Sequence, residues 1–119
     1  MAAKAAGDVD LVHGPLHLMI LKILTWGPLH GYAIARSIRR LTGDVLAIEE
    51  GSLYPALHRM EDRGWVEAEW GLSEGNRRAR FYRLTEVGRR QLRAETARWT
   101  RYAHAVFAAL EAPALPAEG

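Results

Sequence analysis

The sequence predicts a mainly α fold with one small β-hairpin, on three observations. Four stretches carry apolar residues at helical spacing, one stretch switches to a period of two, and glycines and prolines punctuate the joins. The 119 residues suit a single domain, folded from about 10 to 111. Residues 1–9 are small and aperiodic and 112–119 are broken by prolines, so both ends are expected to be flexible tails.

Gly14-Pro15 opens the first helix, with proline placed where its missing N–H costs nothing, and the helix runs to about Thr25 before "WGP" stops it. Its apolar residues wrap most of the circumference, which predicts a central, buried helix. After a turn at "LHG", a second helix spans Gly31 or Tyr32 to Leu41. Ile34, Ala35, Ile38 and Leu41 share its inner side, and Arg36, Arg39 and Arg40 point outward; "TGD" ends it.

The third helix lies in "GSLYPALHRMEDRGW", residues 51–65. At about 100° per residue, Leu53, Ala56, Leu57 and Met60 fall on one side, and Gly51, Pro55, His58, Arg59 and Asp62 on the other. Ser52 and Tyr54 flank its start. Ser52 is placed to cap the first turn, Pro55 is tolerable within that turn, and Gly64 is suited to the left-handed residue that terminates the helix. Its exposed side is the working face.

"WVEAEW" then puts Val66, Ala68 and Trp70 on one face and Trp65, Glu67 and Glu69 on the other, and "ARFYRL" alternates likewise. The segment 71–78 joins these strands as a hairpin tip carrying Arg77 and Arg78. Thr85 caps a last helix, 85–111, on which Leu92, Trp99, Ala103, Val106 and Leu110 stand seven, four, three and four apart. A helix this long on a domain this small needs a partner surface, and a two-fold homodimer is its simplest supply. The domain organisation is therefore a folded unit at 10–84 and a dimerisation helix at 85–111.

Composition excludes several function classes. No cysteine is present, so no disulfide, thiolate zinc site or thiol nucleophile exists, and an intracellular protein is expected. The apolar run "LHLMILKIL" is too short to span a bilayer and contains Lys22, and no signal-like apolar run precedes it; the expectation is a cytoplasmic chain without a membrane. His13 and His17 are one turn apart, but no third metal ligand is within reach, and no metal or cofactor is assigned. No nucleophile with its base, carboxylate pair or phosphate loop stands at diagnostic spacing, so no enzyme is expected.

Net charge is only +2, yet nine arginines lie between Arg77 and Arg101, opposed there by Glu86 and Glu95 alone. Planar guanidinium groups suit phosphate, so a polyanionic partner is one reading; ordinary solvated helix faces, including Arg89, Arg90 and Arg93, are the other. The order of three helices, strand, basic hairpin, strand and long helix is that of a winged helix-turn-helix. In that architecture the third helix enters the major groove and the hairpin touches the flanking backbone. Glu49-Glu50 complement the helix dipole but set negative charge near such a partner.

Three ordered blocks, "LHGYAIARSI", "GSLYPALHRMEDRGWVEAEW" and "RRARFYRLTEVGRRQL", together resemble the PadR family of bacterial transcriptional regulators across about residues 14–110. The resemblance implies a homodimeric DNA-binding repressor acting on double-stranded operator DNA. DNA contacts would come from Ser52, Tyr54, Pro55, His58 and Arg59 and from the wing at Arg77, Arg78 and Arg80, with Tyr32 as a phosphate contact. Tyr54 equally suits packing against the domain. Some members with a short last helix stack flat aromatic effectors on a tryptophan at the dimer interface. By that resemblance Trp99 is an effector platform, with Ala103 and Val106 leaving space and Met19 lining the cavity; the other reading of Trp99 is dimer core. A different function class stays open beside these: a winged-helix interaction or ligand-binding module that does not read DNA.

Overall fold

A computed structural model describes residues 13–118. The expected tail at 1–9 and the start of the folded part at residue 10 lie outside the described residues. Helix α1 (Gly14–Leu24) begins with Pro15 in its first turn and buries His17, Ile20, Leu21, Ile23 and Leu24, as the all-round apolar pattern predicts. Helix α2 (Gly31–Leu41), helix α3 (Glu50–Asp62) and helix α4 (Glu86–Glu111) occupy the expected segments.

The sheet has three strands where the sequence suggests two. Strand β1 (Leu29–His30) replaces the expected turn, pairing Leu29 with Tyr82 and His30 with Phe81. Strands β2 (Val66–Leu72) and β3 (Arg78–Leu84) form the antiparallel hairpin, and the order is β1-β3-β2. Two residues are too few to show a period, so β1 exists only through its pairing. The hairpin loop is also shorter than expected: Gly71, Leu72 and Arg78 belong to the ladder, and residues 73–77 make the turn, closed by Ser73 N–H to the Arg77 carbonyl at 2.8 Å.

The core is made where α1, α2, α3 and the hairpin base meet, with Ile20, Leu21, Ile34, Ile38, Leu53, Leu57, Met60 and Val66 fully enclosed. Leu41, which spacing sets on the side of Ile34 and Ile38, and Trp70, which it sets on the strand face of Val66, both lie outside the core. Leu41, 61 % exposed, is the last residue of α2, one turn past Ile38 where the core ends. Trp70, 59 % exposed, shares a strand face with Val66 but lies where the hairpin has left the body.

Helix α3 starts earlier than the serine suggests. Glu49 occupies the cap position, and its carbonyl accepts from the N–H groups of Ser52 and Leu53, each at 3.0 Å. Ser52 is therefore inside the first turn and caps nothing. Pro55 is likewise the sixth helical residue, beyond that turn; the Gly51 carbonyl loses its donor, which exposure to solvent makes tolerable. The end is as expected: Gly64 has φ +75°, Trp65 N–H reaches the Met60 carbonyl at 2.9 Å, and Gly64 N–H that of Glu61 at 3.0 Å.

Thr85 caps α4, its Oγ1 accepting from Gly88 N–H at 3.0 Å and lying 2.6 Å from the Gly64 carbonyl. The cap thus ties α4 to the end of α3. Along α4, Leu92 packs on the core, Trp99 and Ala103 are half-buried, and Val106, Phe107 and Leu110 are exposed. No described helix is long and apolar enough to cross a membrane.

Candidate nucleic-acid interface

A groove of about 970 Å³ lies between the start of α2, the exposed side of α3 and the hairpin. It gathers Tyr32, Tyr54, His58, Arg77, Arg78 and Arg80, six of the nine residues expected to face DNA. Ser52, Pro55 and Arg59 do not line it. Ser52 and Pro55 are exposed on the neighbouring flank of α3. Arg59 is half-buried and turned away from the wing, its Nε donating to Nε2 of His17 on α1 at 3.4 Å. Helical geometry accounts for this: residue 59 sits at the α1 edge of the exposed side, not at its centre. His17 is only 3 % exposed, with its ring edge-on to Trp65 at 5.6 Å and stacked on His13 at 5.8 Å.

The two tyrosines are fixed differently. Tyr54 packs against Gly31, the first residue of α2, and is still partly open to the groove. Tyr32 projects into solvent with the Arg36 guanidinium 5.2 Å from its ring centroid. His30 caps α2 through Nδ1, which accepts from Ala33 N–H at 3.2 Å, and its ring meets Phe81 edge-on at 5.4 Å. Accepting at Nδ1 requires the neutral ring to carry its proton on Nε2.

On the wing, Arg77 is exposed in the turn, and Arg78 lies 4.9 Å from the Trp70 ring centroid. Such a cation–π contact restrains a long side chain without neutralising it. Arg80 differs. Its Nη2 donates to Glu61 Oε2 on α3 at 2.9 Å, and its guanidinium stands 5.8 Å from the ring centroid of Tyr82. Burial pushes the Tyr82 phenol above its ordinary pKa; Arg80 pulls it back, while Glu61 and Tyr54 add to the rise. The phenol therefore remains protonated at neutral pH.

Sequence reasoning missed His30 and Trp70, which line the groove, and Glu61 on α3, which pairs with Arg80. A residue just before a helix is where a cap belongs, which is the signal His30 carried. Glu61 and Trp70 carried none, because their partners Arg80 and Arg78 are assigned by hairpin register.

With this geometry, the chain matches the PadR-like family of transcriptional regulators over residues 20–94. The chain belongs to that family. It is 31% identical to the uncharacterized protein X of Lysinibacillus sphaericus over 91 residues, 76% of this chain and 83% of that protein. Among solved structures it is similar to a transcriptional regulator from Clostridium thermocellum, with 29% identity, a TM-score of 0.73 and coverage of 82% of this chain and 94% of that one. A PadR family transcriptional regulator from Eggerthella lenta is 32% identical, with a TM-score of 0.70 over 82% of this chain and 83% of that one. PadR-family proteins are DNA-binding transcriptional regulators and not enzymes, and the winged helix-turn-helix seen here is their architecture.

A second cavity, about 700 Å³ and almost wholly apolar, lies between α1, the end of α2 and the first half of α4. Met19, Leu41 and Leu92 line it, with Lys22 and Arg93 at its rim. The expected effector residues are split by it. Met19 faces this cavity, whereas Trp99, Ala103 and Val106 lie further along α4 and do not. Trp99 meets Tyr102 edge-on at 5.7 Å, and its Nε1 is buried without an acceptor among the described residues.

Proposed function

We propose that this PadR-family protein is a cytoplasmic, dimeric repressor that grips operator DNA with α3 and the wing. The observation that carries the reading is the single groove in which His58 and Tyr54 of α3 face Arg77 and Arg78 of the hairpin. Helix side chains on the groove's floor suit base edges, and the wing arginines suit phosphate. Arg59, held by His17, has guanidinium N–H groups other than Nε left to donate from the flank of α3.

The apolar surface left on α4 supports self-association. Val106, Phe107 and Leu110 are exposed in a row at the far end of the helix, and the apolar cavity beside Leu92 is of a kind that a second copy would cover. The half-buried ring of Trp99, at a seam position of α4, supports a small planar aromatic effector stacked between the two copies. Effector binding would change the separation of the two α3 helices, which must match a turn of DNA, and so relieve repression by shifting the dimer toward a non-binding state.

The test is selection of bound sequences from a random duplex pool, followed by titration of the selected duplex at rising salt. A pair of related half-sites with affinity falling steeply in salt is expected. No enrichment, with no affinity for duplex at low salt, overturns the reading and favours an interaction module.

A further inference from the structure

We infer that Arg80 and Glu61 form a latch that sets the wing's position relative to α3, making them positioning residues instead of DNA contacts. The inference rests on the groove between α3 and the wing being the DNA-binding surface. Residues 78, 80, 82 and 84 share one face of β3; Leu84 and Tyr82 are buried in the body, and Arg80 is the next residue outward on that face. Its guanidinium stands 5.8 Å from the Tyr82 ring centroid and reaches Glu61 on α3 at 2.9 Å. Both side chains are about two-thirds covered, so this pair is better shielded than the exposed Arg83–Glu67 pair on the same hairpin.

Beyond Arg80 no hydrogen bond or ion pair among the described residues ties the hairpin to the body. Trp70 pairs with Arg80 in register, and from Gly71 to Ala79 no residue is buried. Arg77 therefore stands about 10 Å past the latch at ordinary strand spacing, on a ribbon whose direction is set at its base. A two-stranded ribbon is flexible in isolation, so a change of tilt at Arg80 moves the tip against α3. An arginine already engaged by a carboxylate also brings less net charge to phosphate than Arg77 or Arg78. These features favour an orienting role over a contact.

The experiment uses the full chain, a duplex selected from a random pool, and the variants Glu61→Gln, Arg80→Glu and the exchange Glu61→Arg with Arg80→Glu. Amide exchange over residues 71–79 and the ratio of selected to random affinity are measured together. The single changes should speed exchange in the wing about tenfold and lower the affinity ratio about tenfold. The exchanged pair should restore both to within about threefold of the original, as coupled partners do. Glu61→Gln keeps the side chain's shape, so its result holds even where Arg80→Glu fails to fold. Wing exchange unchanged in Glu61→Gln overturns the latch. So does a folded exchanged pair that binds as poorly as Arg80→Glu, which makes Arg80 a DNA contact. If Arg77→Ala and His58→Ala bind all duplexes like the unchanged chain, the DNA-binding reading of the groove fails instead.

Discussion

Tyr54 lies against Gly31 so closely that a Cβ built on the glycine would stand 2.7 Å from the phenol oxygen and 2.8 Å from Cε1. The contact joins the start of α2 to the exposed side of α3 and shapes the groove floor. Gly31→Ala should therefore displace the Tyr54 ring toward solvent, which its partial exposure allows. We expect a stability loss of only about 1 kcal/mol in urea denaturation, with a clear drop in affinity for the selected duplex. Unaltered affinity would mean that the ring's position does not matter for binding.

Gly88 is under a stricter constraint. An added Cβ would sit 2.2 Å from the Trp65 carbonyl oxygen and 2.7 Å from Leu84 Cδ1. Backbone cannot yield as a half-exposed ring can, so Gly88→Ala should cost about 3 kcal/mol. Thr85→Ala, which removes the cap, should cost about 1 kcal/mol. Thermal denaturation of both variants distinguishes these magnitudes.

Arg77 and Arg59 should fail differently. Arg77, exposed on the wing turn, is expected to weaken all sequences alike when changed to alanine and to lower the salt slope by about 1. Arg59→Ala should cost about 1–3 kcal/mol for the selected duplex and relax preference at one position per half-site. His17→Leu, which removes the acceptor for Arg59 Nε, should produce a weaker form of the Arg59 defect. Binding titrations on matched and singly altered duplexes read all three.

Trp70 should matter to DNA binding through Arg78. Their 4.9 Å contact is exposed, where such interactions contribute about 0.5–1 kcal/mol. Trp70→Ala is therefore expected to weaken duplex binding about twofold to fivefold, and Arg78→Ala to weaken it at least as much. In the double variant the Trp70 effect should vanish, because no guanidinium is left to restrain.

Leu110→Asp and Val106→Asp place charge on the exposed end of α4. Each should shift sedimentation from dimer to monomer and weaken operator binding in step, with little change in the unfolding of the folded unit. For the effector, a planar aromatic cation should quench fluorescence in the unchanged chain and not in Trp99→Phe. Since the chain has four tryptophans, the comparison with that variant is needed to assign the signal.

Much of the architecture was legible because it depends on local periodicity. The limits of α1 and α2, the inward set Leu53, Ala56, Leu57 and Met60, the glycine that ends α3 and the threonine that caps α4 all follow from spacing and from backbone preferences of single residues. The serine cap failed because the helix begins two residues before Ser52, with the Glu49 carbonyl accepting from the N–H groups of Ser52 and Leu53, and the apolar spacing is the same for either start.

By itself the sequence determined which faces are apolar, where helices and hairpin lie, and the order that assigns them to a winged helix. Tertiary structure alone decided that Leu29 and His30 form a strand, that Leu41 and Trp70 are outside the core, that Arg59 turns to His17 and that Arg80 turns to Glu61. The physical reason is range. Periodicity is a property of neighbours along the chain, whereas ion pairs, edge strands and the limits of a core depend on which distant segments meet and in what register.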